Sequence, residues 1–313
     1  MFGVKVAVGR SKLPSRRSHT RVALVRGNDR KTNVSKALHL IADQIDVSAK
    51  ERILIKPNFV STHSQSSATH VDAVRAVLEY LRQHTSKPIT IGESAALGSA
   101  QQGYSNYGYL ALVKEFGVRL IDFDDGEHVE VKAYDRNFRP LSLYVSRTTL
   151  ESDFRISVCL PKTHDTVIAT LSLKNIVVGS LRSKSAIHQG YPAINVNLYR
   201  MARHVAPHLS VIDGYTGMEG NGPVDGGTVD LRLAIASTDF LAADTVAARI
   251  MGFDVDQIGY LHYCKIKGLG TGSIGDMEII GQRLQDCITK SFRPHSGYKR
   301  QRKWQVADVE RYL

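Results

Sequence analysis

The feature that most constrains this chain is a succession of short, almost wholly apolar runs separated by stretches with apolar residues at helical spacing. Arg21–Arg26, Ile53–Ile55, Ile89–Ile91, Val118–Ile121, Ile156–Leu160, Leu209–Ile212 and Leu231–Ala236 read as strands. Between them, Val34–Ile45, Val71–Gln83, Tyr107–Phe116 and Asn195–Val205 carry the helical period. Leu241–Ile250 and Ile258–Lys267 follow, with Gly252 and Gly268 placed to stop them. A strand apolar on both faces has to be covered on both faces, and helices connecting parallel strands do this. The expected fold is therefore α/β, a mostly parallel sheet with helices on both faces. Two polar-alternating runs, Val129–Ala133 and Leu141–Val145, joined through Asp135–Pro140, predict an antiparallel hairpin at an edge. Residues 21–281 read as a single α/β domain, preceded by a basic N-terminal extension (1–20) and followed by a basic C-terminal appendage (282–313).

Charge and cysteine content narrow the function classes. The formal net charge is +11, concentrated at Arg10, Lys12, Arg16, Arg17 and Arg21 and again at Arg293, Lys299, Arg300, Arg302 and Lys303. Basic termini predict either solvated tails or a polyanion surface, so a nucleic-acid-binding protein is carried as an alternative function. No aromatic-interleaved or recognition-helix motif accompanies them. The cysteines, Cys159, Cys264 and Cys287, are far apart and form no C-x-x-C pair. That argues against a zinc ribbon, an iron–sulfur module and a disulfide framework. Cys159 sits in an apolar run and reads as a small core residue. No apolar run approaches the roughly 20 residues that span a bilayer, so no membrane partner is expected. A cytoplasmic location follows, since the opening segment lacks a secretory pattern. It also lacks acidic residues before Asp29 and carries several Arg and Ser, as a transit peptide would, but Val4–Val8 and Val22–Val25 read better as native strands.

The ends of the apolar runs carry the chemistry. Ile53–Ile55 runs into Lys56-Pro57-Asn58, Ile89–Ile91 into Gly92-Glu93-Ser94 and Val118–Ile121 into Asp122. Ile156–Leu160 runs into Pro161-Lys162-Thr163-His164, and Leu209–Ile212 into Asp213-Gly214. In an open parallel sheet these ends share one edge, where ligands bind. A single Asp or Ser there is usually a helix cap, which is the reading given to Asp122. A lysine at the end of a buried strand is harder to dismiss, because its charge must meet an anion or acceptors. Lys56, Asn58, Glu93, Thr163, Lys174, Asn175 and Lys184 are the candidate ligand-binding residues. His164, Lys162 and His188 are the candidate catalytic ones, His164 because an ordinary imidazole titrates near neutral pH. The stretch Gly217-Met218-Glu219-Gly220-Asn221-Gly222-Pro223 reads as a Gly-rich loop, with a plain turn as its simplest explanation. Asp213, Glu219, Asp239 and Asp244 form a weaker, metal-ligating candidate set, although Asp239 also reads as an N-cap and Asp244 as a partner of the helix dipole.

With these residues in view, the chain resembles the domain of unknown function 362 family. The resemblance rests on Lys56-Pro57-Asn58, Gly92-Glu93-Ser94, Gly108-Tyr109 through Asp122, and Pro161-Lys162-Thr163-His164. It continues through Leu173-Lys174-Asn175, His188, Pro207 through Asp213, Gly217 through Pro223, and Asp239 through Gly252, covering roughly residues 21 to 281. It implies an α/β fold and no settled reaction. The resemblance implies redox chemistry, because many members of that family look to be fused to ferredoxin-like iron–sulfur modules. This chain departs there, so no iron–sulfur cluster of its own is expected, and a scaffold or redox partner of a separate iron–sulfur protein is a further alternative. A fainter similarity is to nickel-pincer lactate racemases, which also gather Lys and His around an anionic substrate and cofactor; it is analogy only, and the cofactor here is unknown. The leading expectation is an enzyme that binds a small phosphate- or carboxylate-bearing substrate or cofactor.

Overall fold

The computed structural model describes residues 20–288 and 290–313. The expected strand at Val4–Val8 and the first basic cluster up to Arg17 lie outside the described residues. The strands are β1 (Thr20–Arg26), β2 (Ile53–Lys56), β3 (Ile89–Glu93), β4 (Arg119–Asp122), β5 (His128–Tyr134), β6 (Pro140–Ser146), β7 (Phe154–Cys159), β8 (Lys162–His164), β9 (Ile168–Thr170), β10 (Leu209–Asn221), β11 (Asp225–Ser237) and β12 (Met277–Gly281). The principal helices are α1 (Arg30–Leu40), α2 (Val71–His84), α3 (Ala100–Asn106), α4 (Leu110–Phe116), α5 (Arg147–Glu151), α6 (Ser172–Val178), α7 (Gly190–Val205), α8 (Phe240–Ile250) and α9 (Gly259–Ile266).

The central sheet runs β12-β1-β11-β10-β7-β2-β3-β4, and along this path every pairing is parallel except the two made by β11. The sheet is thus mostly parallel, as the apolar runs predict. Its side chains alternate between two cores. Ala23, Val211, Ala234 and Ile55 face a layer that includes Val34 and Leu38 of α1, Val74 and Leu81 of α2, and Leu112 of α4. Val22, Leu24, Ile212 and Leu233 face the opposite layer, with Ile194 of α7, Leu241 and Val246 of α8 and Leu261 of α9. Helices therefore cover both faces. Gly252 and Gly268 end their helices at φ +86° and +66°, left-handed values that glycine adopts without a Cβ clash.

The hairpin β5–β6 is present, paired over its full length as a two-stranded sheet of its own. It is tied to the body by a bridge from Val145 to Leu181 and by Asn197 of α7, whose side chain bonds both backbone groups of Tyr134. The expected Gly-rich loop proves to be strand: Thr216–Asn221 pair antiparallel with Asp225–Asp230, beyond an irregularity after Gly214. The segment expected as an appendage packs onto the domain. Trp304 and Gln301 are buried, Trp304 Nε1 donates to the Gln257 carbonyl, and Gln301 Nε2 donates to the carbonyl of His164.

Candidate functional site

Beyond β7 the chain turns through Pro161 into the three-residue β8, whose Lys162 pairs with Met218 on β10 and with Thr170 on β9. From Leu171 it enters α6. The N-terminus of that helix is held by Asp244 of α8, whose carboxylate accepts from the backbone N–H groups of Ser172 (2.8 Å) and Leu173 (3.0 Å). A fully buried aspartate in a mostly apolar helix needs such donors. Here it fixes α6, and α6 carries Lys174 and Asn175 to the ends of β2 and β3.

A cavity of about 180 Å³ opens at this edge, lined by Lys56, Asn58, Phe59, Glu93, Ser94, His164, Asp165, Thr170, Lys174, Asn175, Gly179, Lys184 and His188, with Val60, Ala96, Val178 and Pro223 as apolar walls. Eight of the ten candidate ligand-binding and catalytic residues line it; Lys162 and Thr163 do not. Lys162 lies behind the wall, donating to Asn58 Oδ1 (2.5 Å) and the Ser67 carbonyl (2.8 Å). Burial, with the nearby Lys174 charge, pulls its pKa down to about 7. Thr163 turns its hydroxyl to the Gly220 carbonyl at 2.9 Å.

The lysines in the wall are not equivalent. Lys56, fully buried, donates to Glu93 Oε1 at 2.6 Å, the Pro57 carbonyl at 2.7 Å and Asn175 Oδ1 at 3.2 Å. Glu93 also accepts from the backbone N–H groups of Phe59 (2.7 Å) and Ser94 (2.8 Å). Burial pushes Lys56 down and Glu93 up, and each charge opposes the other's shift. Gly179, just after α6, makes room for this ion pair: a Cβ there would stand 2.1 Å from Lys56 Cε.

Lys174 is different. Only 5% exposed, its Nζ meets His164 Nε2 at 2.9 Å. Burial lowers its pKa to about 8, against the opposing charge of Asp165. His164 in turn places Nδ1 2.9 Å from Asp165 Oδ1 and 3.0 Å from the Thr166 N–H. Burial first, and then the Lys174 charge, drive His164 down to about 3, so it is neutral at physiological pH. Asp165 is pushed up by partial burial, but its bonds to His164 and Thr166 and the Lys174 charge hold it well below the usual carboxylate range. Nδ1 is thus held between the Thr166 N–H and the Asp165 carboxylate, which fixes the plane of the ring against Lys174.

The ring of His188 stacks on that of His164 with centroids 6.1 Å apart. It donates Nδ1–H to the Lys184 carbonyl at 2.7 Å, which leaves Nε2 as an acceptor. Lys184 reaches Asp124 at only 3.4 Å. Three lysines and two carboxylates thus line the cavity, with both histidines displaced toward the neutral form.

The four carboxylates expected to hold a cation are not brought together. Asp213 is paired with Arg30 at 3.0 Å, and Glu219 with Arg293 at 3.1 Å and Lys290 at 3.3 Å. Asp239 caps α8 by accepting from Leu241 and Ala242, while Asp244 caps α6 rather than serving its own helix dipole. Among the described residues no three His, Cys, Asp or Glu side chains are placed to share a metal ion. Asp122 is the cap expected, accepting from the N–H groups of Ala100 and Asp124. Asp165 was not singled out from sequence, although it stands next to His164, a signal available to inspection; Thr170, which the sequence places in the segment after His164, ends the three-residue β9.

Residues 53–249 match the family model described as Domain of unknown function (DUF362), and the chain belongs to that family. It is 29% identical over 215 residues to a thylakoid-associated protein of Synechocystis, an alignment covering 66% of this chain and 65% of that protein. Among solved structures, the lactate racemase apoprotein from Thermoanaerobacterium thermosaccharolyticum superposes with a TM-score of 0.48 and 11% identity, over 78% of this chain and 58% of that one. The chain therefore spans less than two thirds of the length of either protein. No helix among the described residues is long and apolar enough to cross a membrane.

Proposed function

We propose that this member of the DUF362 family is an enzyme that binds a small carboxylate- or phosphate-bearing molecule in the cavity, with Lys174 as its anion-binding and acid–base group. One observation carries the reading: Lys174 is a buried cation whose hydrogen-bond partner among the described residues is a neutral imidazole rather than an anion. Such a charge is costly to keep from water, and an anionic ligand would relieve that cost. Lys184, weakly engaged by Asp124, is the second cation available to the ligand. Lys56 is already neutralised by Glu93 and acts as a rigid floor.

The chemistry follows from which group in the cavity wall titrates near neutral pH; Lys162 lies behind that wall. The sequence points to His164, but burial and Lys174 move it out of range, while Lys174 itself comes down to about 8. Lys174 can therefore hold a proton for the bound anion and exchange it near physiological pH, as a general acid or base requires. His164 acts through Lys174, fixing the position of its Nζ, and Asp165 with the Thr166 N–H fixes the ring of His164.

Isothermal titration with acetate, propionate, succinate and inorganic phosphate tests this reading. At least one probe is expected to bind the wild type, and Lys174→Met should weaken it by about thirtyfold or more, of the order of 2 kcal/mol for losing one member of a buried charge pair. Failure of every probe to bind, or equal binding by the variant, would overturn it.

A further inference from the structure

We infer that Thr170 supplies the second donor of the anion subsite, and that the ligand group held between Thr170 and Lys174 is a singly charged oxyanion. The inference rests on the proposed function and deepens it. Thr170 lines the cavity, is 3% exposed, and its hydroxyl has no hydrogen-bond partner among the described residues. Buried hydroxyls in folded proteins are nearly always bonded, and one that is unpaired beside a cavity calls for a ligand, ion or water to complete it. Thr170 ends β9 and Lys174 lies one helical turn further on, in α6, so the two approach the cavity from adjoining elements. A threonine hydroxyl can donate to an oxyanion while the ammonium supplies the charge.

The charge of the ligand follows from the lining. Lys56 and Glu93 cancel in their 2.6 Å pair. Of what remains, Lys174 and Lys184 share the lining with Asp165, Lys184 also reaching Asp124 at 3.4 Å, and both histidines are displaced toward neutrality. Among the lining side chains the excess is therefore no more than one positive charge, which one negative charge balances. A dianion would leave an uncompensated charge in a wall already short of water. Val178 and Pro223 offer an apolar surface to the rest of the molecule. A short organic monoanion fits these terms better than a free dianion.

The test compares propionate, succinate and inorganic phosphate by isothermal titration at pH 7 on wild type, Thr170→Val and Thr170→Ser. The expected results are that propionate binds wild type at least tenfold more tightly than succinate, and that Thr170→Val loses at least tenfold in propionate affinity. Thr170→Ser, which keeps the hydroxyl, should restore most of that affinity. The valine variant should melt no lower than wild type, because in the free protein the hydroxyl bonds to no described group. Equal propionate binding by wild type and Thr170→Val overturns the inference and leaves the proposed function standing, as long as Lys174→Met still loses binding. A marked fall in the melting temperature of Thr170→Val also overturns it, since the hydroxyl would then serve the fold. Tighter binding of succinate than of propionate, or phosphate affinity that rises with pH as its dianion forms, overturns the single-charge assignment. If wild type binds none of the three, the reading it rests on fails as well.

Discussion

Two buried lysines stand in the wall of one cavity, and they differ in what meets the charge. Lys56 has a carboxylate within 2.6 Å, and that carboxylate is itself held by two backbone N–H groups. Lys174 has a neutral histidine, with the nearest carboxylate one residue further along the chain of contacts. Both side chains are out of water, so both carry a desolvation cost. At Lys56 the protein offsets that cost internally, which makes the pair a structural strut between β2 and β3. At Lys174 the offset is incomplete, which leaves the site ready for an anion. Depth of burial does not distinguish a reactive lysine from a structural one here; the partner does.

The largest expected effect tests the strut. Glu93→Gln removes the charge that balances Lys56 and should cost about 3–5 kcal/mol of stability in urea unfolding, the usual penalty for breaking a buried pair. Lys174→Met breaks no direct carboxylate pair and should change stability by no more than about 1 kcal/mol while removing anion binding. Comparable stability losses in the two variants would erase the distinction between the lysines. A smaller effect tests the outer end of the chain. The Asp165 charge holds the Lys174 pKa up, so Asp165→Asn should lower it further. Propionate affinity at pH 7.5 should then fall a few-fold, and the midpoint of its pH dependence should move to lower pH. An unchanged midpoint would show that Asp165 does not act on Lys174.

Much of the fold was legible in the sequence because buried parallel strands are nearly continuous apolar runs, and β2, β3 and β7 announce themselves that way. The far half of β10 was not, since its glycines read as a loop and only antiparallel pairing with β11 makes it strand. Nor was α6, a seven-residue helix buried on almost every side and therefore without an amphipathic period. At the site, the residue types at the strand ends could be seen, but their pairing could not. Lys56 and Glu93 lie 37 positions apart, and only the parallel register of β2 and β3 brings them into contact. The same limit concealed the inversion of roles between His164 and Lys174. An imidazole titrates near neutrality in water, and only its burial beside a cation shows that it will not do so here.

The most direct test of that difference is an NMR titration of the lysine side chains, with Lys174 assigned by comparison with Lys174→Met, in the absence and presence of propionate. In the free protein Lys174 should titrate near pH 8. A bound anion favours the ammonium form, so propionate should raise that value, and by linkage the affinity should fall as pH rises through about 8. A Lys174 that titrates near the ordinary lysine value of about 10.4, and does not respond to propionate, would contradict the central claim.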